Sequence, residues 1–139
     1  MRVMVIVKAN RESEAGVLPS TEILTKMGNY NEQLVRAGVM LVGEGLQSSA
    51  KGKRVKFSGD SRMVIDGPFA ETKELIAGFW LWRVNSMQDA VEWLKQAPFD
   101  GGEEVEIRQV FEASDFGDNL TPELKEQERH LSEQIAGKK

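Results

Sequence analysis

The stretch that decides the fold is Ile76-Ala77-Gly78-Phe79-Trp80-Leu81-Trp82-Arg83-Val84. Its two tryptophans alternate with a phenylalanine and a leucine, so a strand here carries large apolar side chains on both faces. A strand of that kind lies inside a sheet, with cover above and below. The first strand, Val3 to Val7, has the same two-faced pattern. The two strands are therefore predicted to lie side by side.

Two amphipathic helices and two further strands surround this pair. The helices are predicted over residues 20–38 and 86–98, because a serine caps the start of each and a glycine or proline marks its end. The further strands are predicted over 39–42 and 104–111. The second alternates apolar and charged residues, so one of its faces is exposed to solvent and the strand is expected at a sheet edge. A hairpin is predicted from Val55 to Ile65, with basic side chains clustered between Lys51 and Arg62, and it stands between the second strand and the central one. The polar residues 10–16 are predicted to be a loop and residues 113–120 a linker.

Two helices cover only one face of a four-stranded sheet. The central strands nevertheless carry apolar residues on both faces, and a soluble monomer rarely exposes several hundred Å² of such surface. Burying ~500 Å² of it per subunit at about 25 cal/mol/Å² contributes on the order of 12 kcal/mol, before the costs of association. The pattern therefore predicts a homodimer packed sheet to sheet, with small-molecule pockets at the ends of the interface.

Composition narrows the class of protein. The chain has 139 residues, a formal charge of −4 and no cysteine, which excludes disulfides and thiolate chemistry. Residues 1–111 are almost neutral and form one predicted domain, whereas residues 112–139 form an acidic linker and tail helix. No basic footprint for nucleic acid and no apolar run long enough for a membrane is present. We expect a cytoplasmic protein that binds neither.

Leu75 separates the decisive strand from the nine residues Asp66-Gly67-Pro68-Phe69-Ala70-Glu71-Thr72-Lys73-Glu74, here called the DGPF segment. The sequence of this segment, together with Gly43-Glu44-Gly45-Leu46, resembles the motifs of the DGPF branch of the YCII-related proteins. The resemblance covers roughly residues 1–111. It implies an α+β, ferredoxin-like βαββαβ fold with an inserted small hairpin, which pairs as a dimeric α/β barrel and carries a C-terminal helix. Most members of the branch have no assigned reaction.

The candidate site is drawn from the DGPF segment and the apolar strands around it. A carboxylate buried among aromatic side chains has a raised pKa and can act as a general acid or base. The candidate catalytic residues are Asp66, Glu44 and Glu71, and the candidate ligand-binding residues are Tyr30, Phe69, Lys73, Trp80 and Trp82. Structural roles remain open for several of them: Asp66 can bond the backbone of its own turn, and Tyr30 can be a core residue.

Two functions from different classes follow. One is a dimeric protein that binds a small molecule near the DGPF segment, with acid–base chemistry of a lyase or isomerase type. The other is a regulatory or accessory module that binds a protein, since the branch is similar to proteins associated with extracytoplasmic-function sigma factors. Better understood YCII enzymes use a histidine near the first helix, whereas the one histidine here is His130 in the tail. Neither a metal nor a cofactor is predicted.

Overall fold

Six strands, four α-helices and two short 3₁₀ helices form in the described chain, which comprises residues 1–71, 73–99 and 101–137 of a computed structural model. In chain order the strands and α-helices are β1 (Arg2–Lys8), α1 (Arg11–Glu14), α2 (Thr21–Arg36), β2 (Met40–Gly45), β3 (Lys53–Ser58), β4 (Ser61–Asp66), β5 (Ile76–Arg83), α3 (Met87–Leu94), β6 (Val105–Gln109) and α4 (Pro122–Ala136). The architecture is a mixed α+β one with antiparallel sheets.

The two apolar strands are neighbours, as predicted. β1 pairs antiparallel with β5, so that Val5 lies opposite Trp80 and Val3 opposite Trp82. β2 flanks β5 and β6 flanks β1, which gives the strand order β2-β5-β1-β6 and places β6 at an edge. β3 and β4 form a separate two-stranded sheet, the predicted hairpin.

The core lies on one face of the four-stranded sheet. Val3, Val5, Trp80 and Trp82 are buried there against residues of both α2 and α3, which we call the helix face. The opposite face is called the open face. Its side chains from β1 and β5 are only half-buried: Met4, Ile6, Phe79 and Leu81. The sheet is thus apolar on both sides while helices pack on one of them.

The predicted helix caps are present. The side-chain oxygen of Ser20 accepts a hydrogen bond from the Ile23 amide, and that of Ser86 accepts one from the Asp89 amide. Gly38 follows α2 with φ +73°, the left-handed conformation that glycine adopts most readily.

Two segments read as irregular from the sequence contain helix. Residues 10–16 were predicted to be a loop, but α1 forms there because Asn10 caps it and exchanges side-chain and backbone hydrogen bonds with Ser13. The predicted linker of residues 113–120 contains 3₁₀ turns over Ala113–Asn119 with a kink at Gly117, and the Asp115 side chain accepts a hydrogen bond from the Glu112 amide at 2.8 Å.

The chain divides into two compact units, Met1–Gln109 and Val110–Lys139. In the second unit the rings of Phe111 and Phe116 stack at 4.7 Å. The predicted tail helix is α4, which begins after Thr121, and its apolar side chains Leu124, Leu131 and Ile135 are exposed. None of the helices in the described ranges is both long and apolar enough to cross a membrane.

Candidate functional site

The predicted site residues fall into two groups in the structure. Asp66, Phe69, Glu71 and Lys73 lie on the DGPF segment beside the hairpin, whereas Tyr30, Trp80 and Trp82 belong to the core on the helix face. Across the described chain, no hydrogen bond or ion pair joins one group to the other. The residues that the sequence assigned to a single pocket therefore lie in two separate parts of the structure.

The charges of the DGPF segment pair with the hairpin. The Asp66 carboxylate lies 2.5 Å from Lys53 Nζ, and the side chain is 73% exposed. Glu71 lies 3.5 Å from Arg54, whose guanidinium stands 3.8 Å above the centre of the Phe69 ring. Lys73 is exposed. Asp66 is thus not buried among aromatic rings, and its carboxylate accepts no hydrogen bond from the described residues of its own turn. Exposed pairs of this kind stabilise a protein by only about 0–1 kcal/mol.

The backbone of the DGPF segment is packed tightly where it turns. A Cβ atom on Gly67 would lie 1.7 Å from the carbonyl oxygen of Ser49, so no side chain fits at this position. The Gly67 amide donates to the Gly52 carbonyl at 3.0 Å, and the Phe69 amide donates to Ser49 Oγ at 3.1 Å. These contacts fix the turn against the 3₁₀ turn of residues 49–51.

Glu14 completes this packing, and the sequence analysis missed it. Its carboxylate accepts hydrogen bonds from both the amide and the hydroxyl of Ser49. Its backbone carbonyl accepts from Ser48 Oγ at 2.6 Å. Ser49 therefore links the carboxylate of α1 to the amide of Phe69. We call this arrangement the Glu14–Ser49 link. The only signal in the sequence was the cluster of small polar residues after β2, which does not reveal a partner 35 residues away.

An open cleft of about 500 Å³ adjoins the DGPF segment. Its walls carry both signs of charge, from Glu14 and Glu74 and from Lys51 and Arg54. Its apolar lining includes side chains that are about half exposed, such as Leu46 at 49%. The cleft is largely open to solvent, so it would enclose little of a ligand's surface.

Trp80 is the centre of the second group. Its ring lies 5.9 Å from Tyr30, 5.6 Å from Trp82 and 6.3 Å from Phe99. Its indole Nε1 donates to the side-chain oxygen of Asn31 at 3.0 Å. Trp82 is completely enclosed, and its Nε1 has no hydrogen-bond partner within the described chain. Trp82 is therefore a core residue without a surface to offer a ligand.

The Tyr30 hydroxyl is also engaged. It donates to the backbone carbonyl of Trp93 at 2.6 Å and so ties α2 to α3. The residue is 4% exposed, and burial raises the pKa of the phenol above its usual value of 10. This arrangement corresponds to the core role left open for Tyr30, with its ring against Trp80.

A smaller cleft of about 220 Å³ lies beside Trp80 on the helix face. In the sheet, Val7 pairs with Gly78 and Gly78 pairs with Gly45, so two of three neighbouring positions have no side chain. The bare backbone leaves a hollow floor there. Its walls are Met27 and Asn31 of α2, Val7, Trp80 and Phe99. We call it the glycine-floored cleft.

Glu44 is one of the residues that line this cleft. It pairs with Phe79, whereas its neighbour Gly43 pairs with Trp80. Because successive side chains of a strand point to opposite faces, the Glu44 carboxylate leaves the sheet on the open face. Glu44 therefore belongs with Phe79 and Ile6, and the structure does not bring its carboxylate to Asp66 or into the glycine-floored cleft.

The groups that remain to be placed are His130, any cluster of possible metal ligands, and Thr72. His130 is exposed on α4 in the second unit. Within residues 1–71, 73–99 and 101–137, no three histidine, aspartate or glutamate side chains converge as a metal site would require. Thr72 of the DGPF segment lies outside the described residues.

Comparison with known proteins gives one result. The sequence model of a family described as the YCII-related domain matches residues 1–114, which is most of the chain. No curated protein matches it.

The packing at Gly67 predicts a large effect of a single methyl group. We expect Gly67→Ala to lower the free energy of unfolding by more than about 2 kcal/mol, because the new Cβ would collide with the Ser49 carbonyl. Urea denaturation measures the change. Gly28→Ala is the matched control: Gly28 is exposed within α2 and has nothing near its Cβ, so stability should rise by up to about 1 kcal/mol. An unchanged Gly67→Ala protein would contradict the packing described.

Burial of Tyr30 predicts a loss of stability at alkaline pH. Because its pKa is higher in the folded than in the unfolded chain, the associated stability is present below about pH 10 and is lost as the pH rises towards the folded value. At neutral pH, we expect Tyr30→Phe to cost about 0.5–1.5 kcal/mol through the lost bond to Trp93. That difference from the wild type should shrink above pH ~10. Urea denaturation across this range tests it, and a constant difference would refute the assignment.

Proposed function

The chain belongs to the YCII-related domain family, and on that premise we propose that it binds a small molecule in the glycine-floored cleft. The observation that carries the proposal is the hollow itself. Ligand sites are concave, mostly apolar and equipped with few polar groups. The cleft has four apolar walls and one amide, at the point where two glycines remove the side chains of the sheet.

The cleft beside the DGPF segment is the weaker candidate for a ligand. Its open walls carry four charged groups, and part of its hydrogen-bonding capacity is already used by the Glu14–Ser49 link. We assign the DGPF segment a structural role in positioning the hairpin. The tight fit at Gly67 and the pairing of Arg54 with Phe69 and Glu71 support this role.

The proposal is one of binding, without acid–base catalysis by Asp66. A general acid or base acts from a position where it meets the substrate in a site that excludes water. Asp66 is largely exposed and paired with Lys53, and Trp80 and Trp82 lie in the core apart from it. Glu71 is likewise exposed and paired with Arg54. Neither carboxylate shares the glycine-floored cleft.

We further propose that two copies pair through their open faces, as a DGPF-branch dimeric barrel of ferredoxin-like subunits. The strand order β2-β5-β1-β6, with both helices on one face, supports this arrangement. So do Met4, Ile6, Phe79 and Leu81, which present a continuous apolar surface across the two central strands. At its rim, Arg108 and then Lys8 hold the pKa of Glu106 below its usual range, so the charge there is already balanced.

A second candidate function is suggested by the hairpin. Every residue of β3 and β4 is exposed, and Phe57 is 68% exposed. Val55 and Val64 pair across the strands and share its face. A two-stranded sheet with apolar side chains and a surplus of cations is a surface that a protein with acidic and apolar groups could cover. This favours the regulatory or accessory alternative.

Binding in the glycine-floored cleft predicts a local spectroscopic response. The chain has three tryptophans, so a nitrogen–proton NMR spectrum shows three indole signals. A set of single-ring fragments, titrated to millimolar concentration, should shift the Trp80 signal most, with dissociation constants of roughly 1 mM for molecules of this size. The enclosed Trp82 is the internal reference.

A cleft-filling variant makes this test specific. Gly45→Val places a side chain on the helix face, where no atom lies within 4 Å of the new Cβ. Binding should be lost while the fold is retained. Gly28→Ala, which changes an exposed glycine of the adjacent helix, should bind normally. Equal binding by Gly45→Val and the wild type would exclude the cleft as the site.

The dimer proposal predicts which surface controls assembly. Leu81→Lys puts a charge at the centre of the open face, and desolvating that charge in an interface is costly. We expect light scattering after gel filtration to show a dimer for the wild type and a monomer for Leu81→Lys. Val64→Lys on the exposed hairpin is the control and should remain dimeric. The opposite pattern would assign assembly to the hairpin.

A further inference from the structure

The orientation of the Asn31 amide is fixed by Trp80. An indole N–H can only donate a hydrogen bond, so the atom of Asn31 that lies 3.0 Å from it must be the carbonyl oxygen. The amide nitrogen of Asn31 is then left with two N–H groups. Within the described residues these N–H groups donate no hydrogen bond. The one polar side chain of the glycine-floored cleft is therefore a donor.

The same cleft carries no charge. Val7, Met27, Trp80 and Phe99 are apolar, and Glu44 turns its carboxylate to the open face. Among the described residues that line the hollow, Glu44 is the only charged one, and the alternation of side chains along β2 directs its carboxylate away from the hollow. A charged ligand would leave water without a counter-charge, which is costly. A neutral ligand would not incur that cost.

The volume sets the size of the ligand. About 220 Å³ corresponds to roughly seven waters at ~30 Å³ each. That is room for one six-membered ring with a short substituent. The Trp80 and Phe99 rings, with centroids 6.3 Å apart and nearly perpendicular, offer aromatic contact for such a ring.

From donor, charge and volume together we infer that the glycine-floored cleft takes a compact neutral carbonyl compound with a single ring. Its carbonyl oxygen accepts a hydrogen bond from Asn31 Nδ2, and its ring contacts the apolar walls. This inference rests on the proposed function, because it names the ligand class of the same cleft. It assigns Asn31 as the residue that determines specificity.

Four probes of similar shape test the ligand class on the wild-type protein. They are acetophenone, ethylbenzene, the methylbenzylammonium ion and benzoate, which differ in the group beside the ring. The Trp80 indole signal is followed in each titration. We expect acetophenone to bind about three- to tenfold tighter than ethylbenzene, as one hydrogen bond contributes. The ammonium ion and benzoate should bind more weakly than acetophenone.

Asn31→Asp tests the role of the donor. The aspartate keeps an acceptor for the Trp80 indole but replaces the amide N–H groups with a carboxylate oxygen. We expect acetophenone to lose its advantage over ethylbenzene and the ammonium ion to become the tightest of the four. If the Asn31→Asp variant bound acetophenone with the same affinity as the wild type, the assignment of Asn31 as the hydrogen-bond donor would be overturned. The wild-type series decides the ligand class by itself should the variant not fold.

The outcomes separate this inference from the function on which it rests. Tighter wild-type binding of benzoate or of the ammonium ion would overturn the ligand class while leaving the cleft as a binding site. Equal binding of ethylbenzene and acetophenone would overturn the hydrogen bond to Asn31 and with it the requirement for a carbonyl group, while leaving the cleft as a site for a neutral ring. A Trp80 signal that none of the four probes moves, up to their solubility, would overturn both the ligand class and the proposed cleft.

Discussion

The structure depends on the packing of the Trp80 indole against the bare backbone of β2. A Cβ on Gly43 would lie 2.6 Å from Met40 Cε and 2.9 Å from Trp80 Cδ1, so the indole ring and the methionine methyl group occupy the space that a side chain at this position of β2 would need. That position lets the indole reach Asn31, and brings its ring to Tyr30 and Phe99. One side chain thereby joins the sheet to α2 and to the segment after α3. The cleft exists because the next pair along these strands on the helix face, Gly45 and Gly78, has no side chains either.

The charges of the DGPF segment have a structural explanation. Asp66 and Glu71 are satisfied by cations of the hairpin, and Arg54 covers the Phe69 ring while it pairs with Glu71. Each exposed pair contributes little, so these contacts select the orientation of the hairpin more than they stabilise it. The firm constraint is steric and lies at Gly67. A charged, rigid turn in a sequence therefore need not be a catalytic site.

Most of the fold could be predicted from apolar alternation and helix caps, because both depend on residues that are close together in the sequence. Two-faced apolar alternation placed β1 beside β5, and serine caps located α2 and α3. The site was predicted less well, since it depends on contacts between distant parts of the chain. Alternation along β2 does put Glu44 and Gly43 on opposite faces, but only the register with β5 tells which face holds the helices. The Glu14–Ser49 link has no periodic signal at all.

The cleft and the open face lie on the two sides of the same strands. Along β5, Gly78 and Trp80 face the helices, while Phe79 and Leu81 alternate with them on the other side. A substitution on one face therefore leaves the surface of the other unchanged. In a sheet-to-sheet dimer, the two glycine-floored clefts would lie on the outer, helical sides of the assembly, so each could bind its ligand independently. Coupling between ligand binding and assembly would have to pass through the shared strands, where the bare backbone at Gly78 packs against the Glu44 carbonyl.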